Sequence, residues 1–502
     1  MNTTEKLREG TEANLTWTSA QIFQQTNEYL DISFTAIEGD FHWVIYPDLA
    51  GAYQYFVNKA LPVLGEFRTL FRLDNTTFFN GKTNIKDGLL PTLSEITTAT
   101  KVQDETWQKA DGTYITKYDW ADFIREQKYY GVYGPTFGSW FIYPGKDEYN
   151  GDHLKQELLV HRESKTGDVV LLNMLHGTHF MDSSSDAFAV GKTWGPWLWY
   201  LGVKNNGSID DAALRVVQEE QSWPYTWFTS GESTYQSRGS LSGTLTLSDG
   251  RQAAGAAIFL CDNHPNESSL DMGHSNYYTS TADISGFFNI SSIRNGTYAL
   301  QAWANGGSIG DISTVYLQND VAISKGKETK LGNLTWKTQG RKKIWQVGTM
   351  DRKALGFQYG GATRQHALVA KCPANLNFTV GVSKDSEWCF GQSVLGSWDI
   401  VFSLPSPPSS SAVLSVSLAG YSGGLSDEIF INGVKVGNLT SSDIASDPSL
   451  YRSGTTAGEW HFFEFVVPSA TMREGNNTLS FQCVRAERWH GFMWDSVILE
   501  WA

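Results

Sequence analysis

Basic residues are scarce in this 502-residue chain: 39 lysines and arginines stand against 53 aspartates and glutamates, for a formal charge of −14. No run of them is long enough to track a phosphate backbone, which argues against nucleic acid as a partner. The same deficit bears on a polyanionic substrate, which the average surface repels and only a local basic pocket could hold. Long apolar runs are missing too. Nothing approaches the roughly 20 apolar residues of a membrane helix, so no membrane partner is expected, and Met1 to Gly10 is polar where a signal peptide carries its apolar stretch. The four cysteines, Cys261, Cys372, Cys389 and Cys483, form no C-x-x-C pair and no zinc-type spacing. Neither a metal cluster nor a dithiol redox centre is expected. Disulfides remain open, and their connectivity cannot be read from spacing. Gly-rich phosphate loops are absent as well, so no nucleotide cofactor is expected.

What the chain has is glycine, 48 residues of it, and 13% aromatic residues, a composition that favours short strands and turns over long helices. The fold class read from it is all-β. Alternation begins near Asn27, as in Tyr29 to Phe34 and Phe67 to Leu73. One helix is expected over Asp210 to Gln221, where Ala212, Leu214, Val216 and Val217 recur near the helical period before Trp223-Pro224 stops it. A polar stretch over Ser230 to Arg238 marks a boundary. Strands at Leu241 to Leu247, Gly286 to Ile290 and Gly296 to Ala302 then read as one small immunoglobulin- or fibronectin-like sandwich ending near Trp336. Beyond it come Lys343 to Gly348, a Pro/Ser loop at Pro405 to Ser411, and strands at Val413 to Leu418, Glu428 to Val434, Phe462 to Val467 and Ser496 to Glu500. Asn432-Gly433 signals a tight hairpin, and the whole reads as a jelly roll. The expected units are 1–236, 237–338 and 339–502.

Eleven N-x-S/T sequons occur, at Asn2, Asn14, Asn75, Asn206, Asn266, Asn289, Asn295, Asn333, Asn377, Asn438 and Asn476. Chance would give about four or five by the sequon rule, so the excess points to a secreted, extracellular glycoprotein. One apparent catalytic motif fails on context. Gly420-Tyr421-Ser422-Gly423-Gly424 fits a nucleophile elbow, but that elbow needs a helix after the serine, and here another strand follows. Acidic pairs are too common and unplaced to nominate a glycosidase acid and nucleophile.

Resemblance takes the reading further. Gly191-Lys192-Thr193-Trp194-Gly195-Pro196-Trp197-Leu198-Trp199-Tyr200-Leu201, then Asp211-Ala212 and Trp223-Pro224-Tyr225, resemble the rhamnogalacturonan lyases of polysaccharide lyase family 4. So do Gly151 to Leu158 with His161, and Leu171 to His179. Arg238-Gly239, Gly286-Phe287-Phe288 and Gly296-Thr297-Tyr298 resemble that family's fibronectin-like domain. Trp345-Gln346-Val347-Gly348, Asp351-Arg352, Phe357, Trp388-Cys389-Phe390 and Trp494 to Glu500 resemble its domain like a carbohydrate-binding module. The likeness spans nearly the whole chain in the family's domain order.

The resemblance implies a large β-sandwich catalytic domain, then a fibronectin type III-like sandwich and a jelly roll. It implies an endolyase, monomeric and without cofactor or metal, that cleaves rhamnose-(1→4)-galacturonate bonds of the pectic polysaccharide rhamnogalacturonan I by β-elimination. The family's working residues map onto Lys117 and His179 as catalytic groups and Arg68 as the residue that binds the uronate carboxylate. Their types suit the chemistry. The C5 proton is weakly acidic beside an ionised carboxylate, so Arg68 would neutralise that carboxylate and hold the enolate-like charge. Lys117 would be the base if burial and a guanidinium lower its pKa, and His179 would protonate the departing oxygen, or the two would exchange roles. The rival reading is a non-catalytic or degenerate carbohydrate-binding protein of the same fold. Three departures from the family stand out. Its first domain usually begins a few dozen residues earlier, behind a signal peptide. Leu172 and Met174 stand where some members place aromatic sugar platforms, and Asp152-His153 replaces a Gly-Pro pair. Trp194, Trp197 and Trp199 alternate on a strand, which more often means core than sugar stacking.

Overall fold

The computed structural model describes residues 2–7, 12–180, 187–203, 209–229, 232–263 and 274–502. It is almost entirely strand, as composition implies; Cys372 and Cys389 are bonded, while Cys261 and Cys483 are free and buried. Among the described residues, no helix is long and apolar enough to cross a membrane.

The first part of the chain builds two large antiparallel sheets. Nine strands run in the order Trp17–Gln25, Leu30–Ala36, Gly39–Ile45, Gly51–Asn58, Thr193–Val203, Phe137–Ile142, Tyr129–Tyr133, Asn80–Lys82 and Asp87–Leu89. Five run in the order Val160–Arg162, Val169–His176, Leu64–Leu73, Asn2–Leu7 and Glu12–Asn14. Phe41, Phe56, Phe67, Phe141, Leu171, Trp194 and Trp197 fill the space between them. Both tryptophans are fully buried, and Trp199 stacks on Phe71 at 4.6 Å, so this stripe is packing. The one long helix among the described residues, Ile209–Ser222, lies on the outer face of the larger sheet, where Ala212 and Val216 meet Tyr53, Trp140 and Leu198. It ends at the residue before Trp223-Pro224, since the residue preceding proline is pushed out of the helical region.

Alternation then decides which side chains leave the core of the smaller sheet. On Leu64–Leu73, Phe67 and Phe71 face inward, which sends Glu66, Arg68, Leu70 and Arg72 to the opposite face. Leu171 and Leu175 face inward on Val169–His176, so Val170, Leu172 and Met174 join Leu70 and Leu158 in a separate apolar cluster outside. Leu172 and Met174 are therefore buried packing residues and offer no sugar platform. Val160 points inward and its neighbour His161 outward, in register with Val170.

Two smaller sandwiches follow. Arg238–Leu247 lies between Phe287–Arg294 and Glu328–Trp336, facing the sheet Tyr278–Thr281, Ala257–Asp262, Gly296–Trp303, Tyr316–Ile323. In the last sandwich, Lys342–Gly348, Gly491–Trp501, Ala412–Ser422 and His461–Val467 face Leu376–Thr379, Gly396–Leu404, Gly475–Arg485, Ser426–Ile431 and Val434–Leu439. In its core Trp388 packs edge-on against Trp398 and Trp494. The strand expected over Glu428 to Val434 is two strands. It ends at Ile431 because Asn432 and Gly433, with φ of 48° and 80°, form the hairpin turn. Ser422 lies at the end of a strand and gives its hydroxyl to the Asp447 carbonyl, so the elbow-like motif is an ordinary turn.

Candidate active site

Arg68, Lys117 and His179 converge on the outer face of the smaller sheet. Arg68 stands in mid-strand, paired in register with Met174. Three residues past Met174 the strand is broken by Gly177, whose φ is 76° and where an added Cβ would lie 2.0 Å from the Gly65 carbonyl oxygen. Only glycine fits such a turn. The chain bends there and brings His179 back over Arg68, whose Nη1 lies 3.2 Å from His179 Nε2. The same Nη1 donates to Glu66 Oε2 at 3.1 Å, and Glu66 Oε2 is 4.0 Å from His179 Nε2. Thr178 secures the bend by donating to the Gln156 carbonyl at 2.5 Å and accepting from the Phe180 amide.

A guanidinium can only donate, so His179 accepts at Nε2 and carries its proton on Nδ1. That Nδ1 is buried with no hydrogen-bond partner among the described residues. Burial first, then the charges of Arg68, Lys117 and Arg452, hold the His179 imidazole well below its usual pKa, so it is neutral. Nearby His161 is likewise held well below the usual histidine range, by burial and then by Lys117, Arg68 and Arg72.

Lys117 opens the short 3₁₀ turn Lys117–Trp120, which Thr116 caps by accepting from the Tyr118 amide. It is partly buried, its Nζ 5.1 Å from the Tyr118 ring centre. Burial lowers its pKa; Asp104 and Glu105 oppose this, and Arg452 and Arg68 reinforce it. Burial, with the two arginines behind it, outweighs the two carboxylates, so Lys117 gives up its proton more readily than a lysine in water. Tyr118 donates to Asp104 Oδ2 at 2.6 Å. Beneath the site Lys155 and Glu157 form a fully buried pair at 3.1 Å, and burial pushes the Glu157 carboxyl up to about 8.

The arrangement thus presents one fixed guanidinium, one amine inclined to be neutral and one neutral imidazole, in a protein whose overall charge is strongly negative. It is a local basic cluster of the kind an anionic sugar needs. Sequence reading did not single out Glu66, Asp104 or Arg452. Glu66 could have been found, since it lies two residues before Arg68 and so shares its face. Arg452 could not, being hundreds of residues away on another sandwich.

Residues 343–499 match the model of polysaccharide lyase family 4, domain III, and residues 237–331 match that of its domain II. A rhamnogalacturonate lyase of Dickeya dadantii is 30% identical over 475 residues, covering 90% of this chain and 78% of its own length. A probable rhamnogalacturonate lyase B of Aspergillus niger is 26% identical, covering 65% of this chain and 51% of its own; rhamnogalacturonate lyase B of Emericella nidulans is 25% identical, covering 61% and 49%. With domain matches to the second and third units and likeness over 90% of its length, the chain belongs to polysaccharide lyase family 4, among the rhamnogalacturonate lyases.

Proposed function

We propose that the protein breaks the galacturonate C4–O bond of the rhamnose-(1→4)-galacturonate linkage in rhamnogalacturonan I by β-elimination, so that the oxygen leaves with rhamnose and an unsaturated galacturonate remains. The observation that carries this reading is the convergence of Arg68, Lys117 and His179 in one cationic cluster, with the lysine pKa lowered. Arg68 keeps its Nη1 contact with His179 Nε2 and engages the uronate carboxylate with the rest of its guanidinium. That neutralises the carboxylate and acidifies the C5 proton, which Lys117 removes as the free amine. As the C4–O bond breaks, the Lys117 ammonium returns the proton it took to the departing rhamnose oxygen, and His179 gives that oxygen a hydrogen bond from Nδ1–H. Three groups of the right type in one cluster favour an enzyme over a sugar-binding relative that has lost its chemistry. The deciding experiment is ultraviolet absorbance of the conjugated double bond in products from rhamnogalacturonan I. Its appearance supports elimination; reducing ends without it would mean hydrolysis, and neither would mean binding alone.

The protein acts outside the cell, as a glycoprotein. Support comes from where the sequons lie: Asn14, Asn75, Asn289, Asn295, Asn333, Asn377, Asn438 and Asn476 are all exposed. Of the other described asparagines only Asn27, Asn84 and Asn375 are, while Asn58, Asn150, Asn173 and Asn477 are buried. Asn2, Asn206 and Asn266 offer no such test, because the side chain of the first and the whole of the other two lie outside the described residues. Mass spectrometry of the native protein before and after peptide N-glycosidase decides it, with unmodified asparagine at all eight exposed sequons overturning the reading.

A further inference from the structure

We propose that Arg452, which belongs to the C-terminal sandwich, is a positioning residue for the elimination, so that this sandwich is part of the active site. The proposal rests on the lyase reading of Lys117 and His179, and adds what holds those two groups in relation to each other.

The loop that carries Arg452 is rigid. Asp447, buried at its base, accepts from the amides of Tyr421 at 2.8 Å, Ser449 at 2.7 Å and Glu459 at 3.1 Å. The Arg452 amide donates to the Pro448 carbonyl and that of Gly454 to Ser449. From this base two side chains reach the first sandwich. Ser449 Oγ donates to the Phe180 carbonyl at 2.8 Å, and Arg452 Nη1 donates to the His179 carbonyl. Consecutive carbonyls of the turn bearing His179 are therefore held by the C-terminal sandwich. Arg364, from the same sandwich, lies over the Phe180 ring at 4.8 Å and donates to Gln156, whose amide donates in turn to the Ala457 carbonyl at 2.6 Å.

Arg452 does more than clamp one residue. Its guanidinium lies 4.6 Å from the Tyr118 ring centre and its Nη2 is 3.3 Å from Asp104 Oδ2, the atom to which Tyr118 donates. Tyr118 follows Lys117 in the 3₁₀ turn. One planar fork thus grips the backbone of the histidine turn on one side and the lysine turn on the other. The two turns belong to separate parts of the first sandwich, and a fork with fixed geometry sets their separation in a way a single flexible ammonium cannot. The charge of Arg452 also opposes protonation of both Lys117 and His179.

The test is steady-state kinetics of Arg452→Ala, Arg452→Lys and Ser449→Ala on rhamnogalacturonan I across pH, with melting curves and with Lys117→Ala alongside. Arg452→Ala should lower turnover about 10²-fold with KM little changed, the scale of a misplaced reacting group. Its pH–rate limb for Lys117 should move to higher pH, since a cation beside the lysine is gone. Arg452→Lys should return that limb towards its parental position while leaving turnover low, because it restores charge but not the fork. Ser449→Ala should give a smaller loss in the same direction. Parental turnover in Arg452→Ala overturns the proposal, as does a rise in KM alone, which would make Arg452 a substrate contact. Should Arg452→Ala fail to fold, parental turnover in both milder variants overturns it. Lys117→Ala separates the two ideas: if it is inactive while Arg452→Ala is parental, only the positioning role falls, and if it is active the underlying reading falls.

Discussion

His179 is fixed as a neutral imidazole with its proton on Nδ1, because Arg68 occupies Nε2 as a donor and the surrounding cations resist a further charge. Its part is then to offer a hydrogen bond, and the group that must change protonation in the working range is Lys117. The sign follows. Lys117 acts only when neutral, and its pKa is lowered from the ordinary 10.5, so turnover should rise with pH through a lysine pKa below that value. No falling limb from His179 should cross the neutral range. A fall in activity between about pH 6 and 8, where an ordinary imidazolium loses its proton, would show that His179 must be charged. Lys117→Ala should lower turnover by about 10² to 10⁴, as loss of an acid–base group does, and His179→Ala by about 10² to 10³, as loss of a transition-state hydrogen-bond donor does, each with KM largely kept. Lys117→Arg should not rescue, since arginine stays protonated. Arg68→Ala should harm KM and turnover together, because a carboxylate contact is present in the ground state and strengthens as charge develops. Near-parental product release by a folded Lys117→Ala variant would remove the lysine from the mechanism. The cationic lining also repels a divalent ion, so charge neutralisation falls to Arg68 and activity should persist in EDTA. Activity lost to the chelator and restored by calcium would refute that assignment.

Among the elements, the strands were the legible part. Alternation in Phe67 to Leu73, the strands from Leu241 to Ala302 and the Asn432-Gly433 turn all stand in the structure, because one buried face per strand imposes a period of two. The helix Ile209–Ser222 was legible from its apolar spacing and its stop at Pro224, although only Ala212 and Val216 of that stripe are buried and Leu214 and Val217 are exposed. What periodicity does not contain is the turn that ends a strand within a site. Val169–His176 is buried at every position, so no alternation announces that the chain bends at Gly177. Yet that bend sets His179 over Arg68. Gly177→Ala should thus be costly out of proportion to one methyl group. A left-handed φ costs a residue with a Cβ about 1–2 kcal/mol, and the Gly65 carbonyl, 2.0 Å from where that carbon would lie, must also move. Thermal melting should show the destabilisation. Turnover should fall further than the folded fraction does, because Gly65 adjoins Glu66 and Arg68 and the shift passes into the His179–Arg68 contact. Parental activity per folded molecule would mean that the turn supports the fold alone.

At the scale of the whole molecule, the order of three β-units was readable from breaker-rich stretches and from family likeness, whereas the surfaces joining them were not, since no local pattern encodes a contact hundreds of residues away. Besides the contacts of Ser449, Arg452 and Arg364 that join the third unit to the first, two joints differ in kind. The first unit meets the second largely through charge: buried Asp147 accepts from Arg294 at 2.9 Å and pairs with Arg238 at 2.8 Å. The second and third share apolar core, with Met350 and Ile498 packed among Leu241, Ile309 and Trp336. They are also bolted by Arg352, which lies between Trp303 at 4.2 Å and Trp460 at 4.1 Å. An apolar joint couples the folding of its two sides, because separating them exposes the core of each. A charged joint that opens to water leaves its ions hydrated, at less cost. A fragment from Ser237 to Ala502 should therefore fold without the first unit and melt in one cooperative transition, seen by calorimetry as equal calorimetric and van't Hoff enthalpies. It should release no unsaturated product, since Arg68, Lys117 and His179 all lie upstream. Two separate transitions would show that the shared core does not couple the sandwiches, and lyase activity in the fragment would place the chemistry elsewhere. An unfolded fragment would mean that the polar joint to the first unit carries stability that Asp147 and its two arginines were not expected to supply.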